Sequence, residues 1–367
     1  SSASPPPHVS ASAPPERDAE LVPRVGPRLA MAWHPKGGAL LVARGKTLHE
    51  ITIADAKKSS RELPSPVAAI EYAYGGARLA VADQTRSLRV LESGTLATVA
   101  EWIEPVPAKP ELGEADVHAL AFSPDGGLVA MSAQRPDESM PTVAIFDVAQ
   151  KKRRCTSERF AFDLAFTASG ASLVTTGIGA MARLDPASCE EQASGSAATG
   201  GTFGSWVAPL GAHVAAADAA GHDLALFDSR SLARIGVLAR SAGCSDHIGP
   251  VRFSRDGQIL LATGSGRWLR SFRVASMRSI AAYDVPDPDE ATLLPFDDGE
   301  RLLVVRGERA ELVSVVSKKV AYAFETKGAS LYSHSWDMKK LAGLSEAALH
   351  VWDTATGALE QTVPLGP

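Results

Sequence analysis

The chain has 367 residues, is 45% hydrophobic and 22% charged, and carries a formal net charge of −5. That balance gives no electrostatic case for generic nucleic-acid binding, and no stretch approaches the ~18 apolar residues of a transmembrane helix. Three cysteines, Cys155, Cys189 and Cys244, are too few and too scattered for a disulfide framework or a zinc site, so they read as small buried hydrophobes.

Residues 1–20 are rich in Ser, Ala and Pro, with Val9 as their only large apolar side chain. Such a segment cannot build a core and is expected to be a disordered, semi-stiff tether. The first residue is Ser rather than Met. The reading favours a tether after a lipid anchor or signal sequence, on an extracytoplasmic protein. The alternative is a linker after a cytoplasmic signalling domain. Residues 21–367 are expected to form one folded body.

From Trp33 onwards one phrase recurs. Its clearest copies start at Leu120 and Val251: an apolar run, a tight turn such as Ser123-Pro-Asp-Gly126, and a second apolar run. Proline presets φ, aspartate bonds the nearby backbone and glycine supplies positive φ, so each copy predicts a β-hairpin. Aligned copies give a column of Trp33, Tyr72, Phe122, Phe166, Val207, Phe253, Phe296 and Trp336, about 43 residues apart. In the first six copies a glycine follows four residues later. A second column of acids, Asp55, Glu92, Asp147, Asp185, Asp228 and Asp353, marks the end of a third strand and is expected to cap the turn into a fourth. Four short strands repeated eight times predict an all-β, eight-bladed β-propeller with almost no helix, seven blades being the alternative count. Leu359–Val363 completes the last blade, and Leu21-Val22 is the candidate for an additional latching strand.

The chain resembles the WD-repeat family, as a divergent bacterial member, over roughly residues 28–363. The resemblance rests on Phe122-Ser-Pro-Asp-Gly126 and on Val351-Trp-Asp-Thr-Ala-Thr-Gly357. Asp353–Gly357 is also similar to the docking motif of quinoprotein dehydrogenases, which that family repeats through its blades and which occurs here once.

In propeller geometry the loops from second to third strands share a face with the connections between blades. Two long segments fall on that face, residues 101–116 and 134–141, and long loops on a rigid scaffold are where binding usually resides. Arginines there, with neighbouring tryptophans, suggest an interface for a protein partner. The candidate partner-binding residues are Trp102, Ile103, Arg135, Met140, Arg267, Trp268, Arg306 and Arg309. Basic turns on the opposite face, including Lys151-Lys-Arg-Arg154, read as guards of exposed strand edges. Catalytic motifs are missing, and apolar and small residues dominate the first strands. The expected function is therefore a non-catalytic protein-interaction scaffold or sensor, with no cofactor and no metal. The alternative is a propeller that binds or transforms a small ligand in its central channel.

Overall fold

The structure, a computed structural model, describes residues 29–103, 116–134, 141–159, 161–177, 180–196, 202–218, 223–240, 248, 251–264, 268–286 and 291–366. The expected tether at 1–20 and the candidate latch Leu21-Val22 lie outside the described residues. The described strands form eight four-stranded antiparallel sheets, each built from one contiguous stretch of chain. They are the blades of an eight-bladed propeller. The innermost strands are β1 (Leu29–Trp33), β5 (Val67–Tyr72), β9 (Asp116–Phe122), β13 (Asp163–Phe166), β17 (Thr202–Val207), β21 (Val251–Phe253), β25 (Thr292–Pro295) and β29 (Leu331–His334). Among the described residues the helix content is a single 3₁₀ turn at Pro209–Gly211.

Strand periodicity explains the ring. Successive side chains of a strand point to opposite faces, so each blade feeds two neighbours. In β2 (Ala39–Arg44), Leu40 and Val42 pack towards blade eight, while Leu41 and Ala43 pack towards blade two. In β26 (Arg301–Arg306), Leu302 and Val304 pack towards blade six, and Leu303 and Val305 towards blade eight. The buried residues accordingly fall into eight clusters, one per blade interface, and no separate central core is needed.

The hairpin turns are built as their chemistry implies. Ser123 Oγ donates to Asp125 Oδ1 and accepts from the Leu128 amide, and the Gly126 amide closes the turn on Ser123 O with φ of 69°. Ser254–Gly257 repeats the pattern. These hydrogen bonds correct the column at its end. In blade eight the turn is Ser335–Met338, with Met338 at φ 56° in the glycine position. The column residue there is His334, and Trp336 sits on the turn with 37% of its surface exposed. In blade seven the turn closes between Phe296 and Gly299, so Pro295 occupies the column and Phe296 the next position. Trp33, Phe122, Phe166 and Phe253 are buried as expected. The acidic column also acts as expected: Asp185, Asp228 and Asp353 accept amide hydrogens from the turns that follow them.

The cysteine reading is overturned. Cys155, on β12 (Lys152–Ser157), and Cys189, in the turn after β15 (Ala180–Leu184), form a disulfide with a Cα–Cα distance of 5.6 Å. The two residues are 34 apart in sequence but adjacent where blade three meets blade four. Cys244 lies outside the described residues.

Candidate site in the central channel

The innermost strand of each blade runs beside the propeller axis, and the position just before the column reaches the channel. Ala32, Glu71, Ala121, Ala165 and Ser333 occupy it in five blades, and all five line one cavity of about 380 Å³. Tyr74, Asp163, Arg255 and Trp336 complete its polar and aromatic wall. The expectation that small and apolar residues dominate the inner strands therefore holds for several blades and fails for the others.

Two walls of opposite charge result. On one side, Arg252 of β21, Arg255 in the turn after it, Asp297 in the next blade's turn and His334 of β29 form a connected group. Arg252 Nη2 lies 3.1 Å from Asp297 Oδ1 and 3.1 Å from His334 Nε2. Arg255 donates to His334 O at 2.9 Å and its Nε is 3.9 Å from Asp297. Its guanidinium also lies over the Trp336 ring, 5.1 Å from the centroid, a cation–π arrangement. Phe296 stacks on His334 at 4.8 Å and holds the ring in place. Burial alone would raise the Asp297 carboxyl, but His334, Arg252 and Arg255 outweigh it and bring it down to about 2. Two guanidiniums share this one carboxylate. Arg252 Nε and Arg255 Nη1 are buried donors without a hydrogen-bond partner.

Across the channel stand Glu71 of β5 and Asp163 of β13. Asp163 accepts from the Val207 and Leu164 amides, both at 2.9 Å, which links blades four and five. Enclosure by the channel wall raises Asp163 to about 6, against the effect of those two amides. It raises Glu71 to about 7, with Arg255 opposing the shift and Asp163 adding to it. Glu71 is enclosed by the channel wall, yet its side chain is open to the water of the channel. Glu71 has no hydrogen bond or ion pair among the described residues. Tyr74 closes part of the mouth: its hydroxyl receives the Leu210 amide of blade five at 3.3 Å.

The residues proposed from the long-loop face are distributed differently. Arg135, Met140 and Arg267 lie outside the described residues. Trp102 is half-buried and packs on Phe146, with ring centroids 4.9 Å apart. Trp268 is 8% exposed, within the interface of blades five and six. Arg306 and Arg309 both approach Glu311, at 3.6 and 3.1 Å. Ile103 stands out, 67% exposed. Arg86, in the loop between the second and third strands of blade two, is 6% exposed and donates to Thr142 Oγ1 of blade three. The sequence did carry a signal for the channel group. Glu71 and Arg252 each precede a column residue, where the other blades place mostly small side chains.

No protein-family model matches the chain, and no curated protein sequence matches it. Solved structures do match. The C-terminal WD40 domain of Sif2 superposes with a TM-score of 0.66 at 10% identity, covering 93% of this chain and 97% of that one. Dihydro-heme d1 dehydrogenase NirN, in complex with DHE, superposes with a TM-score of 0.68 at 12% identity, covering 93% of this chain and 75% of that one. At such identities the likeness shows the fold alone, and the chain is an eight-bladed β-propeller with a WD40 domain among its structural neighbours.

Proposed function

We propose that this propeller binds a small polar molecule in its central channel. One observation carries the reading: charged side chains from blades two, four and six, Glu71, Asp163 and Arg255, converge on one cavity, and the Glu71 side chain has no hydrogen bond or ion pair among the described residues. Ligand sites are concave, with a few placed polar groups on a largely preformed wall, and strongly shifted carboxyls inside a cleft mark functional positions. The reading concerns binding, and catalysis forms no part of it. It takes up the channel alternative in preference to the scaffold. The disulfide between Cys155 and Cys189 supports an oxidising, extracytoplasmic compartment.

The test is a thermal-shift screen of small polar metabolites against the wild-type chain and Ala121→Trp, in which the indole fills the cavity. Binders should raise the wild-type Tm by a few degrees at saturating concentration and leave Ala121→Trp unmoved. Shifts that survive in Ala121→Trp, or a screen in which nothing shifts the wild type, overturn the reading. A second reading rests on Ile103, whose exposure supports a protein contact at the long-loop face. It expects Ile103→Asp to abolish a partner interaction that Ala121→Trp leaves intact.

A further inference from the structure

We propose, building on the channel-binding reading, that the ligand is amphoteric: a small molecule with an anionic group at one end and an ammonium group at the other, held across the channel between Arg255, backed by Arg252, and Glu71 with Asp163.

Glu71 and Arg252 occupy the same position of their innermost strands, just before Tyr72 and Phe253. They belong to blades two and six, which are diametrically opposed in a ring of eight. The cavity of about 380 Å³ lies between the two walls. Arg255 and Glu71 attract one another across it but form no ion pair among the described residues.

On the arginine side, Asp297 is the one carboxylate among the described residues within ion-pair distance of the two guanidiniums, at 3.1 and 3.9 Å. One positive charge is left over, together with two donors that lack acceptors. On the opposite side, Asp163 is held by two amides, while the Glu71 carboxyl has no protein donor among the described residues and faces the water of the channel. A simple anion at the arginines would stand opposite the Glu71 carboxylate. A simple cation at Glu71 would stand opposite Arg255. Either leaves one wall uncompensated, whereas above about pH 7, where Glu71 is ionised, a ligand carrying both charges compensates both walls.

The inference is tested by titration calorimetry with three aminocarboxylates, glycine, γ-aminobutyrate and ε-aminocaproate. Each is compared with the acid that lacks the amine (acetate, butyrate, caproate) and the amine that lacks the acid (methylamine, propylamine, pentylamine). At least one aminocarboxylate should bind about tenfold or more tightly than both of its truncated counterparts, the effect of losing a charge-assisted hydrogen bond. Glu71→Gln should weaken that aminocarboxylate about tenfold and remove its advantage over the acid. Arg255→Gln should remove its advantage over the amine. Should Arg255→Gln fail to fold, Glu71→Gln and the wild-type series decide alone. An acid or an amine that binds as tightly as its aminocarboxylate overturns the inference, as does the failure of all three aminocarboxylates. If these fail while screened compounds still bind in a manner blocked by Ala121→Trp, the inference falls and the channel reading stands. If neither group binds, both fall.

Discussion

Glu71 ties the fold to the site through its proton. A carboxyl whose pKa is raised by folding keeps its proton in the folded chain at pH values where the unfolded chain has released it. Between its ordinary value of 4.5 and about 7, Glu71 therefore makes stability fall as pH rises. Asp163 acts in the same direction between 3.8 and about 6. Glu71→Gln removes the first of these effects. The variant should melt with the wild type at about pH 4 and above it at about pH 8, by a margin that solvent screening at this exposed group keeps small. Thermal denaturation of the pair at both values checks this, and a variant that melts lower at the higher pH would contradict it. Trp336 and Phe122 make a second contrast. Phe122 is 2% exposed in the interface of blades two and three, so Phe122→Ala should destabilise by about 3–5 kcal/mol. Trp336 is 37% exposed, and Trp336→Ala should remain within about 1 kcal/mol. Denaturant titration separates the two, and equal losses would mean that Trp336 belongs in the column after all.

The blades show why part of the structure was readable from sequence and part was not. A hairpin turn needs a residue at positive φ and a short polar side chain at fixed offsets, so Ser123–Gly126 and Ser254–Gly257 announce themselves. The alignment slips where aromatic identity competes with turn chemistry. Phe296 and Trp336 were placed in the column for their rings, whereas Gly299 and the Ser335–Asp337 hydrogen bond set the true frame. The channel charges escaped because single residues in short strands have no period of their own: Glu71 and Arg252 become neighbours of one cavity only when the ring closes. The disulfide escaped for a similar reason. Cys155 and Cys189 meet only because an outer strand of one blade lies beside a turn of the next. Closing a loop of this length stabilises by about 2–4 kcal/mol. Cys155→Ser should therefore lower stability by that amount under oxidising conditions, and a reductant should bring the wild type down to the variant. If the reductant does not narrow the gap, the thiols are not bonded.

At the scale of the whole ring, one interface differs from the other seven. Every described blade is made from its own contiguous stretch, and the chain passes directly between successive blades except from blade eight to blade one. Among the described residues that seam is held by side chains. Trp33, Leu40 and Val42 pack on Leu344, Leu349 and Val351. Trp33 Nε1 donates to Ser333 O at 3.2 Å, and Lys58 Nζ to Pro364 O at 3.3 Å. Separating two blades that the backbone still joins releases little translational freedom. Separating blades eight and one releases more, so the seam is expected to open first. Hydrogen exchange should then show the amides of β1 and β29 less protected than those of β13, which lies far from the seam. Trp33→Ala should widen that difference, since it removes both the largest side chain of the seam and its hydrogen bond. Because Ser333 and Trp33 also line the cavity, a channel ligand should restore protection to β1 and β29 as it binds. Equal protection around the ring in the wild type would mean that closure does not rest on this seam, and a ligand that protects β13 alone would place the binding away from it.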